Sequence, residues 1–427
     1  MSTPKKSVHP LSWIPTLYFT EGLPYVIVMS LSVIMYKRLE LSNTDIALYT
    51  SWLYLPWVIK PFWSPFVDIL KTKRFWIVSM QLLIGGGLAA VAFSLPTDSF
   101  VQYSLAAFWL LAFSSATHDV AADGFYLLAL REDQQAFFVG FRSTFYRAAM
   151  ITGQGLIVVL AGKLESSMGD IPAAWNITFL VLTGIMVIMG LYHWLRLPKV
   201  EDEPSEKPNQ QALIKEFWDT IRTFFDKKEI GLILAFLLLY RLGESQLVKL
   251  ASPFLLDDRG VGGLGLATED VGYIYGTIGV AGLIIGGVVG GILVSRDGLK
   301  HWLWWMILAI NLPNAVYILL SFIQPTNFLF ISACVAVEQL GYGFGFTAFM
   351  MYTIYISRGN FQTAHYAFAT GFMALGMMIP GMVSGWIQEQ LGYTNFFIWV
   401  LIATIPSFIV ASRVNIDPEF GKKGVEK

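Results

Sequence analysis

Ser64-Pro-Phe-Val-Asp68-Ile-Leu-Lys71-Thr-Lys73-Arg74 and Gly291-Ile-Leu-Val-Ser295-Arg296-Asp297-Gly298-Leu-Lys300 are the two stretches that decide the fold. Each leaves a long apolar run through a small residue, packs polar and basic residues into a tight loop, and enters another apolar run. They lie roughly half a chain apart. Other pairs recur at nearly the same offset: Glu21 with Glu244, and His118-Asp119 with Glu338-Gln339. A sequence that repeats itself in this way predicts two related bundles.

The apolar runs around these loops are long enough to cross a bilayer, which takes about 20 residues of helix. Twelve are expected, near 11–36, 45–67, 75–95, 100–128, 135–161, 174–196, 229–256, 269–294, 301–323, 327–356, 364–390 and 394–412, and are called spans 1 to 12 below. Composition agrees. Of 427 residues, 55% are hydrophobic and 14% charged, against about 25% charged in a soluble domain. So few charges cannot cover a water-soluble fold, which excludes a soluble enzyme or a disordered chain. The formal net charge of -1 leaves no basic footprint for nucleic acid. The single Cys334 offers neither an intrachain disulfide nor a cysteine pair for metal, and no cofactor or metal is expected.

Orientation follows from the basic residues. With the N-terminus inside, only Lys37, Arg38, Lys163 and Arg259 of the 29 Lys and Arg fall in outside loops, 20 lie on the inside and the other five lie within the spans. Both termini are therefore expected in the cytoplasm. The longest polar stretch divides the chain into a bundle at 1–197, a linker at 198–228 and a bundle at 229–427. The linker ends in a helical pattern, Leu213 to Phe225, with apolar residues at three- and four-residue spacing, as in a helix lying on the membrane face.

Ionisable residues inside the spans carry the functional signal. They are Glu21, Lys60, His118, Asp119, Asp123, Arg142, Arg147, Arg241, Glu244, Lys249 and Glu338. Each costs roughly 2.5–3.5 kcal/mol at the bilayer centre, so most must face one another or a wet cavity. Asp119 and Asp123, four apart on one helix, cannot both ionise comfortably, which suits a proton site. Arg147 is the expected counter-charge, and Arg241 and Glu244, three apart, can pair. Glu21, Asp119, Asp123, Glu244 and Glu338 are expected to handle protons. Lys60, Arg147 and Arg241 are expected to hold the anionic groups of a substrate, with Tyr18, Tyr25, Trp57 and His118 beside them. Blander readings compete: Lys60 snorkelling to the surface, even odds for Arg142 and Lys249, a satisfied core histidine at His118, a structural ion pair at Asp119 and Asp123.

Gly22-Leu-Pro24, Lys60-Pro-Phe-Trp63-Ser-Pro65-Phe-Val-Asp68, Ser115-Ala-Thr117-His118-Asp119-Val-Ala-Ala-Asp123-Gly and Tyr146-Arg147 carry a more specific likeness. So do Leu239-Tyr-Arg241-Leu-Gly243-Glu244, Glu338-Gln-Leu-Gly-Tyr-Gly and Ser384-Gly-Trp386. Together they resemble the AmpG-type muropeptide permeases of the major facilitator superfamily, over essentially the whole chain. His118 stands where that pattern has glutamine, and Glu21 where it is often small and polar. The resemblance implies an all-α membrane protein with two pseudo-symmetric six-helix bundles. It implies a monomeric inner-membrane carrier, not an enzyme, that imports anhydromuropeptides with protons for peptidoglycan recycling. It also implies that Asp68, Lys73, Arg74 and Arg296 lock the bundles together on the inner side, with Ser295 weakening the second copy. Acetyl-CoA transporters are distant members of the group, so another organic anion is the alternative substrate. An alternative of another class is a membrane acyl or glycosyl transferase using His118 and Asp119.

Overall fold

The computed structural model describes residues 8–200, 210–359 and 361–423. Lys5, Lys6, Lys427 and residues 201–209 of the expected linker lie outside them. The described residues form helices and connecting turns, with no strand. Helix starts are set locally: the side chains of Ser42, Thr72, Asp170 and Asn327 each accept from a backbone N–H three residues on, satisfying a donor that the first turn would orphan.

Among the described residues, ten helices are long and apolar enough to cross a membrane. Span 2 is carried by a consecutive pair, Asn43–Trp52 and Leu55–Ile69. The last candidate, Ala364–Ala411, has 48 residues, about twice what one crossing needs. Its backbone leaves helical geometry at Gly392, with φ 73° and ψ 166°, a conformation that glycine adopts without strain. Contacts show what the break does. Before it, His365 meets Thr223 at 3.1 Å. At the break, Glu389 accepts from the Thr44 hydroxyl and backbone. Beyond it, Val410 and Ala411 share a core with Phe224 again. The chain runs out, turns, and comes back.

The outer surface is oily. Phe322 is 82% and Leu329 76% exposed, which water would penalise and lipid would not. The interior is arranged in three cores. One joins residues of both halves, from Leu23, Val28 and Trp175 to Phe254, Tyr317 and Phe397. The other two are separate. Trp13, Tyr18, Phe125 and Leu197 pack within the first half, and Leu299, Phe349 and Phe420 within the second, joined there by Phe224 of the linker. The halves thus merge towards one face and part towards the face where Val8 and Phe420 pack. The linker helix Gln210–Phe225 lies at that parted face. Its Phe224 stacks on Phe372 at 6.0 Å and 9°, and its Phe217 meets Phe62 of the first half at 5.9 Å.

Candidate functional site

Where the halves part, they enclose a cavity of about 770 Å³. Its far end is sealed by polar contacts between the halves. Lys37 pairs with Asp257 at 2.6 Å. The Asn43 amide donates to Gln388 at 2.7 Å and to the Tyr393 hydroxyl at 2.9 Å, and Tyr393 donates to Asp257 at 2.6 Å. Arg38 and the Thr268 hydroxyl both reach Glu165, at 3.0 and 2.7 Å. The backbones themselves touch there. A side-chain carbon on Gly276 would sit 1.8 Å from the Gln154 carbonyl oxygen, and one on Gly385 would sit 1.9 Å from that of Asn43. Only glycine permits such an approach.

Helices widen into π turns beside this seal, at Ile27–Leu31, Ile151–Leu156 and Gly272–Gly279. Such turns concentrate at functional sites. Here they bring Ser30, Gln154 and Tyr275 to the cavity wall, and Gln154 donates to Ser30 at 2.7 Å.

Ten acidic and basic side chains line the cavity: Glu21, Lys60, Asp119, Asp123, Arg142, Arg147, Arg241, Glu244, Lys249 and Glu338. Six are paired. Lys60 donates to Asp119, Arg142 meets Asp123 at 2.6 Å, and Arg241 grips Glu244 through two nitrogens at 2.8 and 3.2 Å. Arg241 also donates to the Tyr342 hydroxyl at 2.8 Å and lies over the Phe346 ring. The expected counter-charge to the aspartate pair is therefore not Arg147 but Lys60 and Arg142. The reason is register: Arg142 stands nearer than Arg147 to the start of its helix, Glu132–Met150, and that places it level with Asp123.

Four of the ten have no opposite charge in contact among the described residues. Glu21 is 6% exposed, and its Oε2 has no hydrogen-bond partner. Glu338 accepts only from neutral groups, Gln339 at 2.9 Å and Tyr317 at 3.4 Å. The Arg147 guanidinium lies against Gly287 of span 8. Lys249 donates to Thr50 at 3.0 Å and stands over the Tyr54 ring.

The carboxylates of Glu21, Asp119 and Asp123 offer oxygens all within 4.8 Å of one another. That is close enough to share a cation or a proton, though Lys60 and Arg142 already engage two of them. Tyr25 and Trp57 line the cavity edge-to-face at 5.3 Å. Tyr18 is fully buried behind it, with the Arg142 guanidinium 4.6 Å above its ring. His118 is 1% exposed and turned into the first bundle. There the Gln81 amide donates to His118 Nε2 at 2.8 Å and to Thr20 at 3.0 Å, and accepts from His193 Nδ1 at 2.8 Å.

Of the expected lock, Arg74 donates to the Trp194 carbonyl of its own half, Arg296 pairs with its neighbour Asp297 at 2.9 Å, and Lys73 is buried against Gly124. The side chain of Asp68 lies outside the described residues.

Paired bundles that part around a charged cavity have a match among known proteins. The sequence fits the Major Facilitator Superfamily over residues 16–379. The chain belongs to this superfamily. Its similarity to the Anhydromuropeptide permease of Escherichia coli K12 is 25% identity over 401 residues, 92% of this chain and 77% of that protein. A Putative transporter AmpG 4 of Rickettsia conorii is also 25% identical, over 93% of this chain and 95% of its own length. Solved facilitator-superfamily structures share the fold at low identity. The nucleoside transporter NupG superposes with a TM-score of 0.65 at 15% identity, covering 94% of this chain and 96% of that one. The inward-open xylose transporter XylE of E. coli superposes at 0.67 and 9% identity, covering 95% and 96%.

Sequence reading missed the seal. Lys37, Arg38, Glu165 and Asp257 stand at span ends, where charges usually mean only solvent. The available signal was that the few outside-loop bases had acids at matching depth in both halves.

Proposed function

We propose that this chain is a proton-coupled importer of anhydromuropeptides, or of a closely related anionic sugar-peptide, working by alternating access. The chain crosses the inner membrane twelve times, with bundles at 1–197 and 229–427, the linker at 198–228 and both termini in the cytoplasm. In that orientation the cavity faces the cytoplasm and the Lys37–Asp257 end faces outside. The observation that carries the reading is the cavity itself, with acids and bases from both halves on its wall and one end sealed by contacts between the halves. A site that must open to either side in turn is built between two bodies in this way.

Asp119, Asp123 and Glu21 form the first half's proton site, and Glu338 is its counterpart in the second. Glu244 is held by Arg241 and sets the shape of the cavity wall. Tyr25 and Trp57 present faces for sugar or peptide. The substrate class rests on the similarity to the E. coli permease along 92% of the chain, and on a cavity size ordinary for ligands of several rings.

The test is uptake into proteoliposomes. With an inward-directed proton gradient, labelled anhydromuropeptide should accumulate and acetyl-CoA should not. Asp119→Asn should abolish gradient-driven uptake while the protein still folds and exchanges substrate across the membrane without a gradient. Gradient-driven uptake by Asp119→Asn equal to that of the parent would refute the proton assignment. Uptake of acetyl-CoA alone would refute the substrate.

A further inference from the structure

We infer that the groove between the inner ends of spans 3 and 6 binds one anionic phospholipid, its phosphate on Arg74 and Lys71 and an acyl chain along the groove. The inference goes beyond the carrier reading. It needs the chain to sit in a bilayer, whatever the chain carries.

The groove lies on the flank of the first bundle and shares no lining residue with the central cavity. It holds about 520 Å³ between the helices Lys73–Ser94 and Ile171–Arg196. Two small residues make its room, Ser79 on one helix and Gly190 on the other. A side-chain carbon on Gly190 would sit 3.1 Å from Leu82. The walls are apolar. Phe75, Leu82, Leu191 and Trp194 line them and are all exposed, which suits lipid tails and not water.

The mouth of the groove is basic. Arg74 lines it and donates to the Trp194 carbonyl. Its Nε is buried and, among the described residues, has no partner. A guanidinium has five N–H donors, so one carbonyl leaves most of them open, and its planar fork matches a phosphate. Lys71 stands over the Phe75 ring at 5.8 Å. Arg196 and Lys199, both exposed, follow Trp194 in the chain. None of these four bases pairs with an acid among the described residues.

Charge and shape agree on the occupant. Bases at the end of an oily groove match a molecule that is anionic at one end and apolar along the rest. Trp194 is 58% exposed at the end of span 6, where such rings mark the headgroup level. Basic pockets between membrane helices on the cytoplasmic side recognise anionic headgroups. The second half treats its counterpart differently. There the start of span 9 is covered by the chain itself. The Phe420 carbonyl accepts from the Leu299 N–H at 3.0 Å, and the buried Phe420 ring lies 4.3 Å beneath the Arg358 guanidinium. At the start of span 3 the described residues offer only the helix's own cap, Thr72. Its bases are left to an anion from outside the chain.

The experiment places the full chain in phosphatidylcholine nanodiscs with a trace of phosphatidylglycerol that carries a photoactivatable group near its glycerol. Labelling, mapped by mass spectrometry, should concentrate on residues 75–82 and 191–194. Excess unlabelled phosphatidylglycerol should suppress it, and excess phosphatidylcholine should not. Arg74→Gln should lower labelling there about fivefold, as the loss of one base near a membrane surface implies. Ser79→Leu fills the groove, keeps every charge, and should lower it as much. Labelling spread evenly over the lipid-facing helices, or equal suppression by the two lipids, would overturn the site in the wild-type chain, whether or not a variant folds. Unchanged labelling in either variant would overturn it as well. With Ser79→Leu it would mean that the bases attract the membrane surface without a groove. None of these results bears on the carrier reading, which uptake tests separately.

Discussion

The two halves hold their ion pairs in different ways. In the first half, Lys60, Asp119, Arg142 and Asp123 keep between 21% and 41% of their side-chain surface open. In the second half, Arg241 and Glu244 keep 9% and 5%, with two guanidinium nitrogens engaged and Tyr342 and Phe346 closing over the group. Pairs open to water gain little from each other and exchange partners easily. A dry, two-point pair cannot release one member without stranding the other. The difference separates pairs that can change partners from a pair that holds the cavity wall in place.

Breaking one pair on each side tests the contrast. Arg241→Met leaves Glu244 alone in a dry place and is expected to cost about 3–5 kcal/mol of stability. Adding Glu244→Leu should recover most of that loss, since a well-packed apolar pair often replaces a buried ion pair without penalty. Arg142→Met, by contrast, is expected to cost under about 1 kcal/mol while weakening transport. Thermal unfolding in detergent reads all three. A similar loss for the two arginines would mean that the halves do not differ in this respect.

The seal at the far end makes an intermediate case. Lys37 and Asp257 are 14% and 15% exposed, and Asp257 also accepts from Tyr393. Asp257→Ala removes a partner from both and should cost the sealed state about 1–2 kcal/mol, a shift of roughly 5- to 30-fold in the balance between open and closed. Spin labels at Glu40 and Asp258, with Cys334→Ser to remove the native thiol, would report it as a longer second distance. An unchanged distance distribution would show that the backbone contacts at Gly276 and Gly385 hold the seal by themselves.

The fold was legible because it depends on properties that a linear chain displays: the length of the apolar runs and the loop repeat. The roster of cavity charges was legible for the same reason. An acid in an apolar run has few places to go, and Glu21, Asp119, Asp123, Glu244 and Glu338 all reach the cavity wall. Only the Arg241–Glu244 pairing could be read from spacing, because the two lie three residues apart. Lys60 with Asp119 and Arg142 with Asp123 are joined across helices, and their pairing depends on relative rotation and depth, which no single helix encodes. Lys249, balanced between pathway and surface in the sequence, meets Thr50 from the other half for the same reason.

His118 gives the smallest effect and the sharpest check on how far the AmpG-type resemblance extends. It stands where that pattern has glutamine, next to Asp119, which invites a reading in which it selects a different ligand. Its geometry argues otherwise, because His118 points into the first bundle and meets Gln81, while Asp119 points to the cavity and meets Lys60. Neighbours on a helix face about 100° apart, so one of the two can be wet while the other is dry. A glutamine at 118 would reach Gln81 as well, and it would spare the unbonded Nδ1 that histidine buries. His118→Gln is therefore expected to change stability by less than about 1 kcal/mol and to leave the preference between anhydromuropeptide and acetyl-CoA where it was. A reversal of that preference would mean that the first bundle repacks during transport enough to bring position 118 into the pathway.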